Sequence, residues 1–179
     1  MADDDSGPFP NAPEADEALQ KLEYYLKWFV DQCKDPQNHD WSSSLYQSLS
    51  IVSHSVAGPH PSATFRFTVQ PRHANLLGSM HGGCTSSLFD VCTSLVLVFI
   101  SRPGFWQRAG VSRTLNVTYL RPALVGTTVD IECEVVHAGQ KLCSLRGVMR
   151  AVTSDGTKGP VLAICEHGKA NTDPPAEKL

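Results

Sequence analysis

The sequence predicts an α+β fold in which an antiparallel sheet wraps around a long central helix. Two observations predict it: an apolar helical pattern runs over residues 82–100, and four strand-like segments follow it at meander spacing. A helix and a strand pair precede the central helix, so helices and strands do not alternate as they do in a doubly wound fold. The chain has 179 residues, enough for one domain with a substantial core and too few for two.

The first predicted element is an amphipathic helix over residues 14–35, which ends before the Asp35-Pro36 pair. Apolar residues recur there at steps of three and four, and acidic residues lie in the opening turn. Residues 1–13 and 171–179 are polar and contain several prolines, so we expect both segments to be disordered. One domain is therefore expected, at residues 14–170.

Six segments have the composition and the alternation of β-strands. In the second of them Phe65, Phe67 and Val69 alternate with polar residues, which indicates one buried face. Turn residues separate the segments, and the outer face and edges of such a sheet need cover, so dimerisation is expected. The six predicted strands lie at residues 45–56, 63–70, 111–119, 128–136, 142–152 and 160–168.

Composition excludes several functional classes. The net charge is -3 and basic residues form no run, so a nucleic-acid partner is not expected. The longest uninterrupted apolar run, residues 95–100, is far shorter than the roughly 20 residues of a membrane span. The acidic N-terminus resembles neither a secretory signal nor a transit peptide, which predicts a cytoplasmic location and leaves a mitochondrial one open. The six cysteines lack CxxC pairing and are interpreted as reduced thiols, with no metal site.

One carboxylate lies within the central helical run. Asp90 is the only charged residue between Cys84 and Ile100. An acid on such an apolar segment must be solvated, hydrogen-bonded or used in chemistry. At 100° per residue, small and mostly hydroxylic side chains share its helical face. They can orient the acid or a water molecule, or simply cap the acid, and their spacing leaves both interpretations open. These small residues are Gly83, Ser86, Ser87, Thr93 and Ser94.

Short motifs surround this acid in a fixed order along residues 75–122. They are Asn75, His81-Gly82-Gly83, Asp90, Gly110-Val111-Ser112 and Tyr119-Leu120-Arg121-Pro122. Together they resemble the hotdog-fold acyl-CoA thioesterases, and within them the phenylacetate-pathway and thioesterase-superfamily-member group. The resemblance covers residues 45–169.

This resemblance implies hydrolysis of acyl-CoA to a free acid and CoA by a thioesterase that needs no cofactor. It implies a homodimer or a dimer of dimers whose site is shared between subunits. Asp90 would be the general base or nucleophile, and Asn75 would hold the attacking water. The Gly82 amide would donate to the thioester carbonyl, and Ser112 would assist the acid from the neighbouring subunit. His81 either steadies the carbonyl or only shapes the turn.

The resemblance also implies a set of substrate-binding positions. Family members carry basic residues at the turn after the fourth strand and on the last strand, where they meet the nucleotide end of CoA. Positive charge is thinner there in this sequence, so Arg113, Arg121 and Lys141 are candidates for the phosphates. The full set is Gly83, Arg113, Tyr119, Arg121, His137, Lys141 and Lys169.

Thioester chemistry agrees with these roles. The carbonyl oxygen gains negative charge in the tetrahedral transition state, and an unpaired N–H at a helix start can stabilise that charge. A positioned carboxylate that activates water typically contributes roughly 10²–10⁴-fold.

Other functions remain open at this level. A hotdog protein can bind acyl-CoA without cleaving it. Hotdog hydratases or dehydratases add or remove water, and their motif is a different one, in which an Asp and a His are paired in one loop-helix segment; that motif is not found in this sequence. Cys84 or Cys92 with a histidine is disfavoured as a nucleophile or metal pair, because no further ligand lies at metal spacing. The sequence does not decide between alkyl and aryl substrates.

Overall fold

The computed structural model describes residues 18–35, 37, 38, 40–57 and 59–174, which form a six-stranded antiparallel sheet and three α-helices. The strand order is β1-β2-β4-β5-β6-β3, and the α+β fold class predicted from the sequence is confirmed. Short 3₁₀ turns lie at Pro71–His73 and Val96–Phe99. The helices are α1 (Ala18–Gln32), α2 (Ser43–Tyr46) and α3 (Gly82–Leu95); the strands are β1 (Ser50–Ser55), β2 (Ser62–Thr68), β3 (Val111–Tyr119), β4 (Thr128–Ala138), β5 (Leu142–Val152) and β6 (Lys158–Ala170).

The central helix α3 packs against strands β3 to β6. Its inner face is fully buried at Leu88, Phe89 and Cys92. On β5, Gly147 lies directly beneath Phe89, and a Cβ atom at that glycine would be only 2.6 Å from Phe89 Cδ1. The missing side chain lets the helix approach the sheet closely, which places α3 at the centre of the core.

The continuous helical stretch Gly82–Phe99 is the one segment among the described residues that is long and apolar enough to cross a membrane. More than half of it, 56%, is buried inside the protein. A helix at the centre of a core has the same length and composition, and its position beneath the sheet accounts for both.

Helix α1 packs against α2, α3 and the 3₁₀ turn that follows α3. Its buried residues are Leu22, Tyr25 and Leu26, which follow the predicted apolar periodicity. The predicted range 14–35 is wrong at its end, because the helix stops at Gln32 and continues as a turn. Residues 14–17 and the segment 1–13 lie outside the described residues; the predicted tail is described only to residue 174 and has no regular structure there.

The strand predictions differ from the structure at several ends. Strands β3 and β5 begin and end at the predicted residues. The predicted strand at 45–56 is wrong at its start, because α2 occupies Ser43–Tyr46 and β1 begins only at Ser50. The physical reason is a tertiary contact: the Tyr46 ring stacks on Phe29 of α1, with ring centroids 4.7 Å apart, and this contact holds Tyr46 in a helical turn.

Strands β4 and β6 extend beyond their predicted ends. The β6 ladder continues to Ala170, which pairs with both Val111 and Leu142, because two neighbouring strands flank it along its length. The predicted helix 82–100 tightens to a 3₁₀ turn after Leu95. All six cysteines are free, and four of them are buried, as expected for reduced core thiols.

Candidate active site

The N-terminus of α3 presents a free backbone donor at Gly82. His81 is the N-cap residue, and its Nδ1 accepts a hydrogen bond from the Gly83 amide at 2.9 Å, so His81 shapes the turn. The amide of Gly82, the residue between His81 and Gly83, donates no hydrogen bond within the described part of the chain. Tyr119 fixes this turn, because its hydroxyl donates to the Gly82 carbonyl at 3.0 Å and lies 2.8 Å from Ser86 Oγ.

Asn75 lies beside this helix start. Its Oδ1 accepts from the Leu77 amide at 2.9 Å, and its backbone N–H donates to the Ser79 carbonyl at 2.8 Å, which closes a tight turn. Asn75 and Gly82 line one cavity of about 360 Å³ together with Tyr119. The structure therefore brings the predicted amide donor and the predicted water-holding residue together.

Asp90 lies further along α3, on a different cavity. Its carboxylate is 48% exposed, and Oδ1 accepts a hydrogen bond from Ser112 Oγ at 2.9 Å. The expectation that Ser112 reaches the acid from a neighbouring subunit is wrong, because β3 of the same chain carries it to Asp90. Two other hydroxyls on this helical face do not contact the acid. Ser86 Oγ donates to the Gly82 carbonyl and lies within hydrogen-bond distance of the Tyr119 hydroxyl, and Ser94 Oγ accepts from Lys169 Nζ.

A buried histidine continues this hydrogen-bond network. His167 Nε2 lies 2.9 Å from Ser112 Oγ and 3.5 Å from Asp90 Oδ1, and its Nδ1 lies 2.7 Å from Thr93 Oγ1. Thr93 Oγ1 donates to the Phe89 carbonyl, so it accepts from His167 Nδ1–H. The Ser112 hydroxyl therefore lies between two acceptors, Asp90 Oδ1 and His167 Nε2, and can donate to one of them at a time.

Burial keeps this histidine neutral. Burial and, to a smaller extent, the positive charge of Lys169 lower the pKa of His167 to about 4, although the negative charge of Asp90 opposes the shift. Sequence reasoning missed His167. The signal was present in β6, where His167 and Lys169 lie two residues apart and so point two polar side chains to the same, buried side of the strand.

The His167 environment predicts an acid-sensitive fold. Acidification from pH 7 to pH 4.5 should lower the free energy of unfolding by about 2 kcal/mol more in wild type than in His167→Gln. The unfolded chain protonates this residue near pH 6.5, whereas the folded state resists until about pH 4. The stability that the neutral ring contributes is therefore present above 6.5 and is lost as the pH falls toward 4. Urea unfolding at the two pH values measures it.

His54→Gln is the matched control, because His54 is exposed on β1. It should retain the wild-type loss of stability. An equal loss in His167→Gln and wild type would contradict the interpretation.

The Asp90 cavity has a volume of about 330 Å³ and walls of mixed character. Asp90, Ser112 and Lys169 are polar groups on its lining. Lys169, a predicted substrate-binding residue, is buried on this lining and does not lie at the protein surface. Helices α1, α2 and α3 and the segment after α3 supply the aromatic and apolar part, which includes Tyr25, Phe29, Tyr46, Leu95 and Trp106.

The two cavities share no lining residue. Gly82 and Asp90 are eight residues apart on one helix, a rise of about 12 Å. One chain thus carries the amide donor and the acid at separate places, and it does not bring them onto one substrate carbonyl.

The remaining predicted substrate-binding residues are dispersed. Arg121 lines the Gly82 cavity and donates to the Val161 carbonyl at 2.7 Å. Arg113 and Lys141 line neither of the two cavities, and His137 lines a third. The exposed members of the set are Gly83, Arg113, Tyr119, Arg121, His137 and Lys141.

The other candidate chemistries receive no support from the cysteines. Burial raises the pKa of the Cys84 thiol to about 11 and raises that of Cys92 as well, so both stay protonated at neutral pH. Among the described residues, no group of three or more His, Cys, Asp or Glu side chains is placed to hold a metal ion.

Comparison with known proteins identifies similar thioesterases. Residues 77–156 match the family model of the thioesterase superfamily. Mouse acyl-coenzyme A thioesterase 13 is 34% identical over 101 residues, which span 56% of this chain and 66% of the mouse protein, just under two thirds of its length.

Two solved structures share the fold. Zebrafish thioesterase superfamily member 2 superposes with a TM-score of 0.65 at 23% identity, over 83% of this chain and 96% of its own. The PaaI protein from the phenylacetic acid degradation operon of E. coli gives a TM-score of 0.59 at 19% identity, over 86% of this chain and 97% of its own. The resemblance inferred from the sequence motifs is confirmed: residues 77–156 match the thioesterase superfamily, and the chain has the hotdog fold of these solved structures.

Proposed function

We propose that the protein hydrolyses acyl-CoA thioesters to a free carboxylic acid and CoA. The observation that carries the proposal is the half-exposed Asp90 carboxylate, held by Ser112 at a cavity whose wall is partly apolar. The match of residues 77–156 to the thioesterase superfamily supports this reaction class. The apolar part of the cavity wall suits an acyl chain, and a positioned acid on the lining suits the activation of water.

In this mechanism Asp90 removes a proton from a water molecule while the water oxygen attacks the thioester carbonyl carbon. The tetrahedral intermediate then collapses, the carbon–sulfur bond breaks, and the proton passes to the CoA thiolate. Ser112 donates to Asp90 Oδ1 and leaves Oδ2 for the water. The alternative is direct attack by Asp90, which releases the CoA thiolate and forms an anhydride that water then hydrolyses. Hydrolysis at the Asp90 carbonyl would place ¹⁸O from labelled water in the Asp90 carboxylate in a single turnover.

The oxyanion is assigned to the Gly82 amide. This N–H is unpaired, lies at the first position of α3 and points along the positive end of the helix dipole. Preorganised donors of this kind are worth roughly 10²–10³ in kcat. Asn75, on the same cavity, is the group that holds the attacking water.

A second copy of the chain is needed to complete this site. Asp90 and Gly82 of one chain face different cavities, so the amide that meets an Asp90-bound substrate comes from a partner. Strand β3 is an edge strand whose residues are mostly exposed, and it carries Ser112. Pairing of β3 with its counterpart would cover that edge and produce a symmetric dimer with two shared sites.

Complementation between two inactive variants tests both the reaction and the shared site. Asp90→Asn and Asn75→Ala should each release little thiol from acyl-CoA when assayed alone. After co-expression in equal amounts, about half of the dimers are mixed, and each mixed dimer has one intact site. The mixture should therefore recover about a quarter of wild-type activity, measured with a thiol-reactive dye.

Two outcomes would count against the proposal. Absence of recovery, with mixed dimers demonstrated by differential tags, would exclude the shared site. Binding of acyl-CoA by the wild-type protein without thiol release, across alkyl and aryl acyl groups, would exclude hydrolysis.

A further inference from the structure

The Asp90 cavity contains a buried ammonium group without an ion-pair partner. Lys169 is only 5% exposed, and its Nζ donates one hydrogen bond, to Ser94 Oγ at 2.5 Å. None of the ion pairs among the described residues includes it. Lysine is almost never buried without a compensating anion, and an ammonium has three donors, of which two are unused here.

The position of this lysine relative to the acid is fixed by α3. Ser94 follows Asp90 by four residues, one helical turn or about 6 Å. Strand β6 places Lys169 next to Ser112 in the β3 register, on the same side as His167. Burial lowers the pKa of Lys169, and the negative charge of Asp90 opposes that shift, so the acid is a charge neighbour beyond ion-pair distance.

The cavity wall around Lys169 supplies no ion-pair partner among the described residues. Phe29, Leu95 and Val98 are apolar, and the hydroxyl of Ser94 is already used. The carboxylates of Asp40 and Asp90 lie on the same lining, and neither is within ion-pair distance of Lys169. A substrate chain that passes Asp90 and continues into this cavity would therefore reach the two free donors. A purely hydrocarbon chain would leave them unpaired in a drier environment, which is costly.

We propose that Lys169 selects acyl groups that carry a carboxylate as the fifth carbon of the acyl chain, that is, short dicarboxylic acyl-CoA substrates. The inference rests on the proposed hydrolysis and names its substrate class. The helical rise of about 6 Å from Asp90 to Ser94, the residue that Lys169 contacts, matches the span from a thioester carbon to such a carboxylate oxygen, which is about four carbon–carbon bonds and one carbon–oxygen bond. A carboxylate there would accept hydrogen bonds from the two free N–H groups of Lys169 and would form an ion pair with its ammonium group.

The test compares three acyl-CoA substrates of nearly equal length. Glutaryl-CoA carries the carboxylate, 5-oxohexanoyl-CoA carries a neutral acceptor, and hexanoyl-CoA carries neither. In wild type, kcat/KM should be higher for glutaryl-CoA than for hexanoyl-CoA. Lys169→Met should lower the ratio of the two values by about 100-fold, because sites built to hydrogen-bond a substrate group discriminate strongly.

Two further variants make the test specific. Lys27→Met removes an exposed lysine of α1 and should leave the ratio unchanged. Lys169→Gln keeps donors without charge, so it should retain 5-oxohexanoyl-CoA hydrolysis while it loses the preference for glutaryl-CoA.

Each result decides between the two proposals. A wild-type ratio below one overturns the selectivity of Lys169 whether or not the variants fold, and so does a ratio in Lys169→Met within threefold of wild type. Hydrolysis of hexanoyl-CoA in those cases leaves the thioesterase proposal intact. No thiol release from any of the three substrates, or from the wider acyl series, removes both.

Discussion

Replacement of Asp90 by asparagine is expected to lower kcat for acyl-CoA hydrolysis by about 100-fold or more, with the fold intact. Asparagine has nearly the same volume, and its amide oxygen can still accept from Ser112. What it loses is the ability to take a proton from water or to attack the carbonyl. Thiol release under saturating substrate measures the effect, and far-UV circular dichroism with urea unfolding checks the fold.

Asp31→Asn is the matched control. Asp31 lies on the outer side of α1, where it pairs with Lys27 and Lys34. This variant should keep wild-type kcat, and its free energy of unfolding should change little, because exposed ion pairs contribute little to stability. Equal turnover in Asp90→Asn and Asp31→Asn would remove Asp90 from the mechanism.

Proline at position 82 is expected to lower kcat by roughly 10²–10³-fold, because it deletes the single N–H assigned to the oxyanion. Proline is favoured at the first position of a helix, where the amide makes no intrahelical bond. His81 already has the extended conformation that precedes proline, with φ -62° and ψ 137°. Gly82→Pro therefore removes the donor with little expected effect on α3.

Gly82→Ala separates the amide from the space around it. An added Cβ would contact the Tyr119 ring at 3.5 Å, an ordinary van der Waals distance, and the N–H would remain. Alanine should keep kcat within a few-fold of wild type. A loss in Gly82→Ala as large as in Gly82→Pro would indicate that steric access at this turn, and not the amide, limits the rate.

Local pattern and residue order were enough to predict most of the fold. Turn residues flank β3 and β5 on both sides, so the positions of these residues in the sequence were enough to predict where the two strands begin and end. The helical turn α2 could not be predicted in this way, because its apolar residues Leu45 and Tyr46 also fit a strand. A tertiary contact, the stacking of Tyr46 on Phe29, decides the conformation.

The candidate site was predictable only in part. The motif order indicated Asp90, Gly82 and Asn75. The structure places Asp90 on one cavity and Gly82 and Asn75 on another. His167 could not be paired with Ser112 from the sequence, because 55 residues separate them and the β3–β6 register alone brings them together. The burial of Lys169 has the same origin: strand alternation indicates which side it faces, but the sequence does not show that α3 covers that side.

The separation of acid and amide along α3 has a consequence for how the proposed enzyme would behave in dilute solution. A solitary subunit would possess each group without its counterpart, so catalytic output per milligram would decline once the concentration fell below the constant for subunit dissociation. Cellular abundance would then govern not only how many copies exist but what fraction of them can turn over.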